Sequence, residues 1–237
     1  MSAIFKRELR AYFTSPLGYF FIGIYLMVSG AIFSFACLQN GAYAKISTYY
    51  TSILFAFVVL LPLLTMRSFA EERRQKTEQL LLTSPVTLPG MVLGKFFSAY
   101  VMFAGTFLIG CVNLIPYYSY SAEPPNDGMI LGFLLAVLLV GGSFIALGLF
   151  VSALTENQLI AALGTMFLML LFLLANFFNS YIPFAWLRTV CSWLSIYSRF
   201  SYFTYGVIDF SAVLYYVSVC FVFLFLTVRI YEKRRWD

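Results

Sequence analysis

The chain has 237 residues, of which 62% are hydrophobic and 11% charged, with a mean hydropathy of +0.88 and a net charge of +5. A soluble domain would carry roughly a quarter charged residues, so the expected class is a single polytopic membrane domain. There is no histidine, which removes the commonest metal ligand and argues against a zinc site, an HExxH protease or a Ser-His-Asp hydrolase.

Residues 1–14 form a short amphipathic segment. Ile4, Phe5, Leu9, Tyr12 and Phe13 fall roughly on one helical face, with Lys6, Arg7 and Arg10 over the others. Such a helix can lie in the headgroup plane or act only as a topological anchor. Ser15-Pro16 reads as an N-cap with proline at the first helical position, opening span one at residues 17–38. That stretch exceeds a signal-peptide core and no small-x-small site follows it, so it is expected to stay in the membrane. Span two is expected at 49–66 and span three at 91–117, with the long polar segment 67–90 between them. Span four follows at 129–153, a tight turn at 155–158 makes it a hairpin with span five at 159–179, and span six is expected at 207–228 before a basic tail, 229–237.

Six spans put both termini on one side. Twelve Lys and Arg fall in the N-terminal segment, residues 67–95 and the tail, against Lys45, Arg188 and Arg199 on the other side. This bias predicts cytoplasmic termini and a cytoplasmic 67–95 segment. The basic residues flank spans and form no stripe that could follow a phosphate backbone, so lipid is the expected partner and nucleic acid is not. Cys37, Cys111, Cys191 and Cys220 have no metal-ligand spacing and read as packing residues.

Residues 180–206 carry Trp186, Val190, Trp193, Tyr197 and Phe200 or Ser201 at three- and four-residue spacing. A helix here is expected to be amphipathic and aromatic, either an interfacial anchor or a re-entrant external helix shaping an exit path. Trp186, Trp193, Tyr197 and Asp209 are the external gate candidates. Asp209 at the start of span six and Glu156 in the turn are expected at the interfaces, which weakens an ion-coupled transporter needing acids at mid-depth. Asn176 and Asn179 near the end of span five can meet a substrate or a neighbouring helix.

The polar segment holds Arg67, Glu71, Glu72, Arg73, Arg74, Lys76 and Glu78. Ser68-x-x-Glu71 matches a capping box, and the acids lie in the first turn of a helix running through AEERRQKTEQLLL to Thr83-Ser84-Pro85. The expected order is span, short charged helix, turn, span. Such a helix can be a solvated loop or a docking element whose charges orient a partner.

The pattern of Glu71, Glu72, Arg73, Thr77, Leu81, Leu82, Thr83, Ser84, Pro85 and Val86 resembles the cytoplasmic loop of ABC-2 type transporter permeases. KRELRAYFTSPLGY near the N-terminus, and Gly206 through Tyr215, Tyr216, Leu226 and Thr227, look most like the gliding-motility-type branch. Lys76 departs from that pattern, which often has glycine before the threonine, and is expected to favour a continuous helix. The resemblance implies an all-α, six-helix, type V exporter-like permease that dimerises with a second copy or a paralogue in the bacterial inner membrane. It implies an ABC ATPase partner carrying ATP and magnesium, with no cofactor in this chain. Residues 67–90 would be the coupling segment and residues 1–14 the connecting helix. Ser68, Phe69, Glu71, Glu72, Arg73, Arg74 and Glu78 are the candidates for the ATPase-coupling interface.

Gly90-Met91-Val92-Leu93-Gly94-Lys95-Phe96 superficially resembles a phosphate loop. It is one residue short, follows no strand and has Phe where the magnesium-binding hydroxyl belongs, so ATP hydrolysis is expected on another polypeptide. Gly142 with Ala146 and Gly148 with Ser152 have small-xxx-small spacing and predict close helix contact, within the chain or across a dimer. The leading expectation is an exporter permease. The rival is a scaffold that passes ATPase-driven motion to an extracytoplasmic accessory protein, and an uncoupled channel would need no ATPase at all.

Overall fold

A computed structural model describes residues 2–38, 46–78, 87–120, 127–175, 177, 184–204, 206 and 209–236. Every regular element among them is helical. In chain order these are α1 (Ser2–Thr14), α2 (Pro16–Phe33), α3 (Ile46–Thr65), α4 (Ala70–Arg74), α5 (Leu88–Gly110), α6 (Leu114–Tyr120), α7 (Asp127–Leu154), α8 (Gln158–Leu174), α9 (Ala185–Leu194), α10 (Ile196–Thr204) and α11 (Phe210–Trp236). Five helical stretches are long and apolar enough to cross a membrane: Pro16–Cys37, Thr48–Arg74, Leu88–Ser119, Asp127–Leu154 and Phe210–Arg235. The apolar α8 is shorter, at 17 residues.

The helices start and stop for local reasons. Pro16 stands at the first position of α2, and Ser15 before it is extended but makes no side-chain cap bond. The turn expected at 155–158 is present, and Asn157 caps α8 by accepting from the Leu159 amide at 2.9 Å. Asp209 does the same for α11, accepting from the Ser211 amide at 2.9 Å. The basic residues expected as a tail after 228 are helical, since α11 runs to Trp236.

The bundle is built around α3 and α7. In the most apolar window of α7, 72% of residues are buried, against 17% in α11, which lies at the rim. With lipid outside, apolar burial alone does not join helices, so close approach and hydrogen bonds must. Gly148 supplies the approach: a Cβ there would run into the Thr65 side chain at the end of α3. A Cβ on Gly141 would meet the Phe103 ring of α5. Ser143 Oγ donates to the Tyr216 carbonyl at 3.0 Å, tying α7 to α11. At Gly141, Ser143 and Gly148 the close contact is therefore made within the chain.

Two sequence expectations fail here. Residues 184–204 do not form one amphipathic helix: Ser195 is extended and buried, ends α9, and its Oγ accepts from the Ser198 amide at 3.3 Å to start α10. Trp186, Val190 and Trp193 stay exposed while Phe200 is buried, so the aromatic stripe is split between two helices. The second failure is α4, which ends at Arg74 instead of running on to Thr83. Residues 79–86, Asn176 and Asn179 lie outside the described residues.

Candidate functional site

The charged segment is folded against four other parts of the chain, all at one end of the bundle. It begins where α3 ends, with Met66 still bonded to Pro62. Arg67 then reaches one turn ahead and makes a two-pronged pair with Glu71 at 2.6 and 2.8 Å.

The expected capping box is absent. The first free amides of α4, on Phe69 and Ala70, both donate to Ser152 Oγ of α7 at 3.1 Å. Ser152 in turn donates to the Met66 carbonyl at 3.2 Å. A serine from a neighbouring helix thus does what Ser68 was expected to do, and Glu71 is already engaged by Arg67. Ser68 itself is buried, and its carbonyl accepts from Lys95 Nζ at 2.7 Å.

Lys95, in α5, is the centre of the site. It is 1% exposed, yet charged groups surround it: Glu72 at 2.9 Å and Glu8 of α1 at 3.2 Å. Its ammonium also lies 5.1 Å from the centre of the Phe69 ring. Arg7 pairs with Glu8 at 2.6 Å and Glu72 at 2.9 Å, so two cations and two carboxylates balance. Partial burial alone would lower the Arg7 pKa, but hydrogen bonds and charge from Glu8 and Glu72 outweigh it and raise the value. Tyr12 of α1 donates to the Leu64 carbonyl at 3.2 Å, and burial pushes its phenol up to about 12. These groups line a cleft of about 410 Å³ between α1, α5 and the charged segment.

The opposite side of the segment grips the end of α7, with the turn after it, and α11. Arg73 donates to the Leu154 carbonyl at 3.0 Å and pairs with Glu156 at 2.9 Å. Glu78 pairs with Arg234 of α11 at 3.2 Å, and Arg234 also donates to the Ala153 carbonyl at 2.8 Å. Phe69, 1% exposed, packs on Tyr231 with ring centres 5.0 Å apart.

The tip of the segment is a tight reversal. The Lys76 amide bonds the Arg73 carbonyl and the Thr77 amide bonds the Glu72 carbonyl, the paired bonds of a Schellman motif. Lys76 occupies its left-handed position with φ of 57°. The expectation that a lysine there continues the helix is therefore corrected, because the chain turns at that residue. Arg74, Gln75 and Lys76 point outward, whereas Ser68, Phe69, Glu71, Glu72, Arg73 and Glu78 are turned partly or wholly into the chain.

The external candidates lie at the other end. Trp186 and Trp193 are exposed on α9, the Tyr197 ring makes tilted contacts with Phe55 and Phe177, and Asp209 caps α11. That end and the charged end are separated by the length of α7, 28 residues or about 40 Å.

Sequence reasoning missed Glu8, Arg7, Ser152, Tyr231, Arg234 and above all Lys95. The available signal was a lysine with no acid in its own span, set seven residues into an apolar helix, which must find its counter-charge elsewhere. In comparison with known proteins, residues 24–236 match the family described as ABC-2 family transporter protein. No curated protein matches the chain.

Proposed function

From the premise that the chain belongs to the ABC-2 transporter family, we propose that it is the membrane-spanning permease subunit of an ATP-driven exporter, coupled through residues 67–78 to a separate ABC ATPase. The family is a membrane transport component and not itself catalytic. One observation carries the coupling. The exposed tip Arg74-Gln75-Lys76 stands on a base bonded to α1, α5, α7 and α11 at once. A push on the tip is delivered to the ends of those helices through short, mostly charge-assisted contacts. The tip is the docking face in this proposal, and Ser68, Phe69, Glu72 and Glu78 transmit.

The topology in this proposal is six passes with both termini cytoplasmic. Support comes from chain direction: α7 ends at the charged end, α8 starts there, and α10 packs back on the start of α7, where Gly132 lies against the Phe203 carbonyl. The α8 helix reaches about 25 Å, close to the roughly 30 Å hydrocarbon core. The bias of Lys and Arg sets the side. A dimer in the bacterial inner membrane and the gliding-motility-type branch complete the proposal, resting on the resemblance of residues 6–19 and 206–227.

The test is capture of an ABC ATPase subunit from the same genome by the purified chain. Native chain should capture it. Arg74→Glu with Lys76→Glu, which leaves the buried contacts intact, should lose it. Lys95→Met should still capture the ATPase, but ATP hydrolysis should no longer respond to the permease. Capture unchanged by the tip reversal, or a native chain that brings down no ATPase, would defeat the proposal.

A further inference from the structure

Arg188 and Arg199 are the only basic residues between Lys95 and Arg229. Both fall at the end of the bundle that the charge bias leaves poor in cations, so an arginine there needs a local reason. Among the described residues no carboxylate pairs with Arg199. Its guanidinium lies instead over the Tyr215 ring, 3.8 Å from the centre. That ring is also a wall of an apolar groove of about 410 Å³, lined with it by Thr189, Val190, Trp193 and Leu194.

The groove is held in shape. Tyr215 Oη donates to the Leu194 carbonyl at 2.8 Å, and Tyr216 Oη to the Ile196 carbonyl at 3.0 Å. Two adjacent residues of α11 thus grip the chain on either side of the Ser195 break. Trp186 and Trp193, exposed on the same helix, place the groove mouth at headgroup depth. An apolar slot opening at that depth, with a cation on the ring that walls it, matches one chemistry: an acyl chain joined to a phosphate.

We propose that this groove binds one anionic phospholipid, with an acyl chain against Val190, Trp193 and Tyr215 and the headgroup phosphate on Arg199. Arginine suits the role because its planar fork bonds phosphate while one face stays on an aromatic ring. The site goes beyond the proposed permease function and does not depend on an ATPase. It explains why residues 184–204 break at Ser195: one helix could not both expose the Trp186–Trp193 face and bring Arg199 over Tyr215.

The test uses the full chain in lipid nanodiscs with Trp186→Phe and Trp236→Phe, leaving Trp193 as the one tryptophan. Phosphatidylglycerol with brominated acyl chains should quench Trp193 with an apparent affinity roughly five-fold above that of brominated phosphatidylcholine, the scale of one arginine near a headgroup. Arg199→Gln should bring the two lipids level, and Arg199→Lys should keep part of the difference. Val190→Phe, which fills the groove without touching the charge, should lose the phosphatidylglycerol excess and serves if Arg199→Gln fails to insert. Equal quenching by the two lipids in the parent chain, or a preference that survives Arg199→Gln, overturns the proposal. Displacement of phosphatidylglycerol by millimolar inorganic phosphate also overturns it, because the site would then take a free anion.

Discussion

Lys76 sits in backbone geometry that costs a residue with a Cβ about 1 kcal/mol or more. The neighbouring bonds hold it there: Thr77 to the Glu72 carbonyl and Lys76 to the Arg73 carbonyl close the reversal, and its side chain is exposed. Lys76→Gly should therefore raise stability by about 1 kcal/mol, read as a higher midpoint in thermal unfolding of the detergent-solubilised chain. A lower midpoint would mean that the lysine side chain contributes something its exposure hides. The position was legible in part, since the resembling pattern often has glycine there, but helix propensity alone argued the wrong way. Propensity treats a lysine as a helix former and is blind to a chain that must turn back to reach α5. The partners of Lys95 were illegible for a related reason: Glu8 and Glu72 lie 87 and 23 residues away in the chain and only the fold brings them within 3.2 Å.

Among elements, α4 is five residues long and could not persist alone, since an isolated helix of that length fails to repay its nucleation. Its start is supplied by another helix. Ser152 accepts from two amides of α4 and donates to the carbonyl before them, all in a buried setting. Ser152→Ala leaves both amides unsatisfied and should cost about 1–3 kcal/mol, lost first as amide-exchange protection over residues 66–78. Equal loss across α3 and α7 would instead indicate general unfolding, and no loss would show that water replaces the hydroxyl. The helices themselves were mostly legible. The long apolar runs, the Ser15-Pro16 start and the 155–158 hairpin appear where hydrophobicity and turn chemistry put them. What local pattern could not show was partnership: Ser152 has the spacing of a packing residue, and nothing in its own helix marks it as the cap of a distant one.

At the scale of the whole molecule the two ends differ in kind. One gathers α1, residues 66–78 and the end of α11 into a network of paired charges, and the other carries exposed Trp186 and Trp193 on short helices. A membrane favours this division, because charges gather where there is water and tryptophans settle at headgroup depth. The number of crossings follows from which end each segment meets. In the proposed topology α8 crosses, so Trp186 lies outside and Lys76 inside; without that crossing the two sites share one side. Single cysteines at 76 and 186, in a chain whose four native cysteines are replaced, separate these cases with a membrane-impermeant maleimide. In intact cells Trp186→Cys should label, and Lys76→Cys should label only after the membrane is opened. Labelling of both sites only after opening would remove α8 as a span. It would also detach the aromatic end from the outer headgroups, so both the six-pass topology and the side of the lipid groove turn on the 17 residues of α8.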